Sequence, residues 1–497
     1  MRYSPKFYSA RITETRMQFE ELLRQVSASQ DLSEKERLSR KAIILANKSS
    51  TGYYSSEIIE DVFTTIAQKH SIPLKSEYKE NTFLHVMTQG YETGGHTRVV
   101  ERWIENSPEQ QQHDVVFIGS SPACVIARMM QSTAEKNGTV HELNQEKSDL
   151  DKALELRRMA SQYAYIILHV HMDDVVPLIA FGTPEFTRPV IFFNHADHRF
   201  WLGCSIADAV AELREWGINI SKTRRGINVP SLALGIPMTY RSNTRTVSKT
   251  EKRQALGIPE KARVVTTVGG WHKYKPLFHL DFLKIAESLL QRDASIHIIA
   301  IGPSCQHLPE WSRLCKQYGD RFRALGALPP EQMFDYLACS DLSLDSFPMS
   351  GGTALIDAIT AGCPVLSMDC PTGQLDYVIQ SGIYCKDLDT LIHRSIELLD
   401  SPEKAEKNKA MVSTALLECH SKEAWLQKLS ELYQLASTHS LHRFTTTPSP
   451  VNDYSILDYY LYSESFREKV KFRIPGILTL YSVHVAEKKR YSLRFFS

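Results

Sequence analysis

No two cysteines of this chain are spaced as CxxC, although nine are present, and that absence removes the usual signatures of zinc ribbons and dithiol redox centres. An odd, scattered set predicts a reduced, cytoplasmic setting with mostly buried thiols, no disulfide and no zinc site. Charge of one sign is lacking too. The 58 basic residues stand against 57 acidic ones, a net charge of +1, which gives nucleic acid no electrostatic footing. No apolar run reaches the roughly 18 to 20 residues that span a bilayer, and the longest candidate, IPGILTLYSVHVA from Ile474, opens on a Pro-Gly pair. The first residues, MRYSPKFYSARITETRMQFEELL, hold no apolar core of a secretory signal. A 34-residue helical repeat is also missing. The expectation is a soluble protein, at most peripheral to a membrane.

What is present is a rhythm of buried-strand runs and helical segments. At 497 residues the chain exceeds what one core usually supports, so more than one domain is expected. Residues 1–75 read as a helical extension, with Met17, Phe19, Leu22, Leu23 and Val26 at helical spacing. Residues 76–240 carry strand runs at Phe83–Met87, His113–Ile118, Tyr163–Val170 and Pro189–Phe193, with Val229–Met238 as a last strand and its exit turn. Residues 241–395 begin with a Ser-, Thr-, Lys- and Arg-rich linker, then Arg263–Val268 and Ile296–Ile301. Residues 396–497 read as helices, with Leu416, Leu417, Trp425, Leu429, Leu432 and Tyr433 as an apolar face, and a tail ending in KKRYSLRFFS. That tail either touches a membrane surface or an acidic partner or packs on its own domain. The fold class is α/β, two doubly wound parallel sheets.

The densest chemistry lies between Ser340 and Met368, SDLSLDSFPMSGGTALIDAITAGCPVLSM. A short strand, a glycine turn, a helix closed by Gly362 and a second strand form a β-α-β unit. Ser350, Gly351, Gly352 and Thr353 set small residues and backbone N–H groups at a helix N-terminus, where a phosphate is favoured. Asp357, one turn on from Thr353, suits the paired hydroxyls of a ribose. An ordinary tight β-α turn has the same glycines. In GGWHKYKP, Lys273 and Lys275 follow Gly269 and Gly270 at the same sheet edge, placed either to neutralise a pyrophosphate or to stand in solvent.

In the first half, Gly90, Gly94 and Gly95 form a turn before a helix starting near His96 and Thr97, without the GxGxxG fingerprint. After the Pro189–Phe193 strand comes Asn194-His195-Ala196-Asp197-His198-Arg199-Phe200-Trp201, on an edge that lines the crevice of an open sheet. His195 there reads as a base or acceptor-orienting group, with Asp197 and His96 as lesser candidates. Two other readings stay open. They are histidines merely satisfied within the loop, and a metal site from His195, Asp197 and His198 lacking a further ligand.

LSLDSFPMSGGTALIDAITAGCPVL resembles the donor-binding segment of the O-GlcNAc transferase family (family 41) of GT-B glycosyltransferases, with its LD, its glycine turn, its helical Asp and its AGxPV. GGWHKYKP is similar to that family's phosphate-lysine loop. The likeness covers about residues 260–370. It implies a UDP-sugar as donor substrate, with Asp357 on the ribose, Gly352 and Thr353 on the pyrophosphate, and Lys273 on the charge of the departing nucleotide. It also implies no metal or other cofactor. Met333 stands where the family has a histidine near the base. Met349 and Asp357 stand where retaining family 4 enzymes carry paired glutamates, which favours inversion. The implied activity is sugar transfer to a glycan or protein acceptor. A UDP-sugar 2-epimerase and a non-catalytic GT-B subunit are the alternatives.

Overall fold

The computed structural model describes residues 4–92, 95–238, 248–307, 309–438, 448, 450, 451, 455 and 457–461. Seven strands form the first sheet: β1 (Lys79–Met87), β2 (Gln112–Phe117), β3 (Val140–Glu142), β4 (Tyr163–His169), β5 (Val190–Asn194), β6 (Ala209–Glu212) and β7 (Ser231–Ala233). Their order is β3-β2-β1-β4-β5-β6-β7. Six strands form the second: β8 (Arg263–Val268), β9 (Ile296–Ile301), β10 (Phe322–Ala324), β11 (Leu342–Leu344), β12 (Val365–Met368) and β13 (Tyr384–Cys385), ordered β10-β9-β8-β11-β12-β13. Every strand pairing in both sheets is parallel.

In each sheet the order reverses beside the first strand, between β1 and β4 and between β8 and β11. Crevices open at the carboxyl ends of strands at such reversals. The glycine turns after β1 and β11, the lysine loop after β8 and the end of β4 all lie there.

The helical extension is part of the first domain's core. Helices Pro5–Ala28, Leu32–Lys48 and Glu57–Lys69 start at the side-chain caps Ser4, Asp31 and Ser56. Phe19, Leu38, Ile59 and Phe63 share one apolar cluster with Leu84, Val116, Ile166 and Leu168 of the sheet. The buried carboxylate of Glu60 accepts N–H groups from Gly203, Cys204 and Ser205 at 2.9, 3.1 and 2.6 Å, which ties the extension to the segment beyond β5. The opposite face of the sheet is covered from the far end of the chain. In helix Lys422–Ser437, Trp425, Leu429, Leu432 and Tyr433 pack with Phe83, Trp103 and Ile167. Leu416 joins this cluster, whereas Leu417, expected on the same face, is exposed.

One expectation is overturned. Cys305 and Cys315 form a disulfide across ten residues, with Cα atoms 6.3 Å apart. The chain doubles back between β9 and helix Pro309–Tyr318, a fold-back that cysteine spacing alone does not reveal. Of the other seven cysteines, Cys124 is exposed and six are buried. Strands β3, β6, β10 and β13 escaped the sequence reading because runs of two to four residues carry too little periodicity. Gly94, the boundary at residues 240 and 241, and the basic end of the tail lie outside the described residues. Among the described residues no helix is long and apolar enough to cross a membrane.

Candidate active site

On the second sheet, the glycine turn is folded onto one buried carboxylate. Asp345 Oδ1 accepts the N–H groups of Gly351 (2.7 Å) and Ser346 (2.8 Å), and Oδ2 accepts the hydroxyls of Ser350 (2.6 Å) and Ser367 (3.1 Å). Burial pushes this carboxyl up, against the pull of those bonds and of Lys273. A Cβ on Gly351 would lie 2.7 Å from Asp345 Oδ1. Gly352, which caps helix Thr353–Thr360, has φ +56° and ψ −103°, a backbone that side chains rarely adopt. Gly352→Ala is therefore expected to lower unfolding stability by about 1–3 kcal/mol in urea titration.

Lys273 reaches this turn. Its Nζ donates to the Ser350 carbonyl at 2.7 Å, and the Met349 N–H points back at the Lys273 carbonyl at 3.4 Å. Gly269 permits the approach, since a Cβ there would stand 3.0 Å from Ser346 Oγ. Gly270 is as tight, because its Cβ would meet the His272 ring at 2.6 Å. Lys275 diverges and sits over the Trp271 ring at 5.0 Å. Met333, on helix Pro330–Cys339, is half-buried and packs, like Val268, against the edge of two apolar clusters.

On the first sheet, the turn after β1 begins with Gly90, whose Cβ would meet Val125 at 2.6 Å. The Tyr91 N–H donates to Thr97 Oγ1 at 2.8 Å and fixes the start of helix Gly95–Asn106. This brings His96 against His195, with ring centroids 4.2 Å apart. Neither ring nitrogen of His96, nor Nδ1 of His195, has a hydrogen-bond partner. Burial, then the neighbouring His171, brings His96 down to about 4. Burial, then His96, holds His195 well below the usual histidine range. Both rings are neutral at pH 7, the form that can take a proton.

Asp197 is engaged rather than open. Arg214 binds it at 2.7 and 2.9 Å, and His198 Nδ1 lies 3.3 Å from Oδ1. Burial alone would raise this carboxyl, but the Arg214 charge and the hydrogen bonds from His198 and Arg214 together outweigh it and hold Asp197 well below the carboxylate range. The carboxylate holds the loop in place. Arg214 Nη1 also donates to the Gly373 carbonyl of the second domain at 2.9 Å.

Below the loop, Asn194 Nδ2 donates to Glu212 Oε2 at 2.8 Å. Burial brings Glu212 up to about 7. A carboxyl raised in the folded state gives stability that is complete below its unfolded value near 4.5 and is lost as pH rises through 7. Glu212→Gln is accordingly expected to stabilise the protein at pH 8 by up to about 3 kcal/mol, with the gain gone at pH 4. Denaturation midpoints at the two pH values measure it.

The halves meet. A Cβ on Gly95 would lie 3.3 Å from Thr353 Oγ1, so the two glycine turns face each other. Arg102 Nη2 donates to Asp357 Oδ1 at 3.1 Å, with both side chains under a tenth exposed. The ribose candidate is thus paired across the cleft with a residue that sequence reading missed. Its one signal was the Arg98 and Arg102 pair, four apart on the helix after a glycine turn. Tyr377 was missed as well. Its buried hydroxyl has no partner and is pushed well up by burial, then by Asp345 and Asp357. Among the described residues no group of three His, Cys, Asp or Glu side chains is arranged to hold a metal.

No family model matches the chain, and no curated protein matches it. Solved structures do. A point mutant of Thermobaculum terrenum O-GlcNAc transferase superposes with TM-score 0.54 at 12% identity, over 86% of this chain and 82% of that one. Anabaena HepE in complex with UDP-glucose gives 0.53 at 15%, over 70% and 98%. The Candida albicans trehalose-6-phosphate phosphatase N-terminal domain gives 0.52 at 11%, over 74% and 99%. The fold is GT-B. Its two facing parallel sheets put the glycine turns, Lys273 and the His96–His195 pair on opposed edges of one cleft.

Proposed function

We propose that the protein transfers a sugar from a nucleoside diphosphate donor, a UDP-sugar, to a hydroxyl of a glycan or protein acceptor, with inversion and without a metal. The observation that carries this reading is the convergence of Lys273 on the Ser350–Thr353 turn, where Thr353 meets Gly95, the residue before His96 of a neutral, buried histidine pair. The acceptor oxygen bonds to the anomeric carbon while His195 takes its proton. The bond from that carbon to the diphosphate oxygen breaks, and the charge arriving there meets Lys273 and the turn amides. Structures of the same fold include one of an O-GlcNAc transferase and one solved with UDP-glucose, which supports a nucleotide-sugar donor.

A panel of nucleotide-sugars read by thermal shift tests the proposal, because a donor at a hundred times its dissociation constant adds about 2.7 kcal/mol to the folded state. A UDP-sugar should raise the midpoint, and UDP should appear once an acceptor is supplied. No shift with any nucleotide-sugar would sink the reading. The Arg102–Asp357 pair, which occupies the ribose candidate, favours a second one, a GT-B subunit without donor binding. Calorimetry with UDP separates the two.

A further inference from the structure

The short helical turn Trp271–Tyr274 carries Lys273 and is gripped at both ends. At its start the Trp271 ring stacks on His307, with centroids 5.4 Å apart and planes 11° from parallel. At its end Tyr274 meets Trp311 edge-on at 5.5 Å. The two grips belong to consecutive segments. His307 stands in the loop after β9, where its Nδ1 accepts the Ser304 N–H at 2.7 Å, and Trp311 is buried on helix Pro309–Tyr318. Cys305 and Cys315 tie that loop to that helix, so one covalent bond joins the two grips.

The loop after β9 also presses on the backbone of the lysine loop. Gly302 has φ +107°, and a Cβ there would lie 2.0 Å from the Gly269 carbonyl oxygen. Neither loop can shift far without the other.

The remaining cysteines set this pair apart. Of the seven free thiols, six are buried and Cys124 alone is exposed. Burial pushes the thiols of Cys204, Cys363 and Cys370 up, which keeps them from reacting as thiolates. Cys305 and Cys315 are half-buried, and their neighbours Gln306, His307 and Lys316 are exposed. Among the described residues they form the one disulfide, and a dithiol in solution can reach it. Where thiols are otherwise kept free, a lone disulfide is usually transient and redox-sensing.

We propose that Cys305–Cys315 is a redox switch on the Lys273 turn: closed, it holds both grips on the turn, and opened by a dithiol, it lets them move independently. A thiolate of the dithiol attacks one sulfur of the pair, the S–S bond breaks and a mixed disulfide forms. The second thiolate then closes the dithiol on itself. Two electrons and the two protons of the dithiol pass to Cys305 and Cys315, which are left as thiols.

The state of the turn is read without any substrate, by amide hydrogen exchange of the full chain before and after dithiothreitol. The Lys273 N–H donates to the Gly270 carbonyl at 2.9 Å, so a loosened turn exposes it. Expected on reduction is at least about 10-fold faster exchange across residues 271–275, with β1, β4 and β5 unchanged. Cys305→Ser with Cys315→Ser should exchange like the reduced protein and ignore dithiothreitol. A pair that stays closed in dithiothreitol, or unchanged exchange at 271–275, would overturn the switch. So would loss of protection throughout the second sheet, which would make the pair a structural staple. If the double variant does not fold, wild-type protein reduced and capped with iodoacetamide decides. The consequence for the donor rests on the transferase reading: reduction should weaken UDP binding several-fold in calorimetry. Absence of UDP binding in both states would sink that reading and leave the exchange result standing.

Discussion

Lys273→Ala is expected to lower sugar transfer at least about 100-fold, the scale on which removal of one preorganised charge-stabilising donor acts. Lys273 is half-buried and is held against the Ser350 carbonyl at 2.7 Å, so its ammonium is already positioned when a diphosphate arrives and costs little to reorganise. Its loss should appear in kcat more than in folding stability, because Lys273 is only half-buried and leaves little apolar packing behind. Steady-state UDP release measures the first and a urea titration the second. A variant that keeps wild-type turnover would remove Lys273 from the chemistry.

The second large effect concerns Arg102. Arg102→Met strands the Asp357 carboxylate in a buried site, and breaking a buried ion pair from one side typically costs about 3–5 kcal/mol. Replacing both partners, as Arg102→Met with Asp357→Leu, should recover most of that loss, since two buried apolar groups need no partner. The single variant also tests what Asp357 is for. If Asp357 receives ribose hydroxyls, UDP satisfies the stranded carboxylate, and the stabilisation by UDP should be larger in Arg102→Met than in the wild type. An equal shift in both proteins would leave Asp357 as an interdomain anchor alone.

The half proposed to hold the donor was the more legible one because its chemistry is local. Residues 340–368 contain strand, turn, helix and strand in one stretch, and the glycines needed at Gly351 and Gly352 are there because Asp345 and a positive φ demand them. The pairing of Lys273 with that turn could be anticipated from the shared carboxyl edge of β8 and β11. The half proposed to face the acceptor was harder. His96 and His195 lie 99 residues apart, and only the adjacency of the β1 and β5 ends around β4 brings their rings to 4.2 Å. The role of Asp197 could not be read, because its partner Arg214 lies beyond another strand.

By itself the sequence determined the two parallel sheets and the glycine turn before helix Thr353–Thr360, since apolar runs, glycines and helix caps act over a few residues and leave a direct trace in order and spacing. Only the tertiary structure decided which charges are spent in pairs, as with Arg102 and Asp357, and which histidines are dry. It also decided that the extension and the last helices close the two faces of the first sheet. The physical reason is that desolvation and ion pairing depend on distance in space, and a parallel sheet brings together residues that the chain keeps far apart.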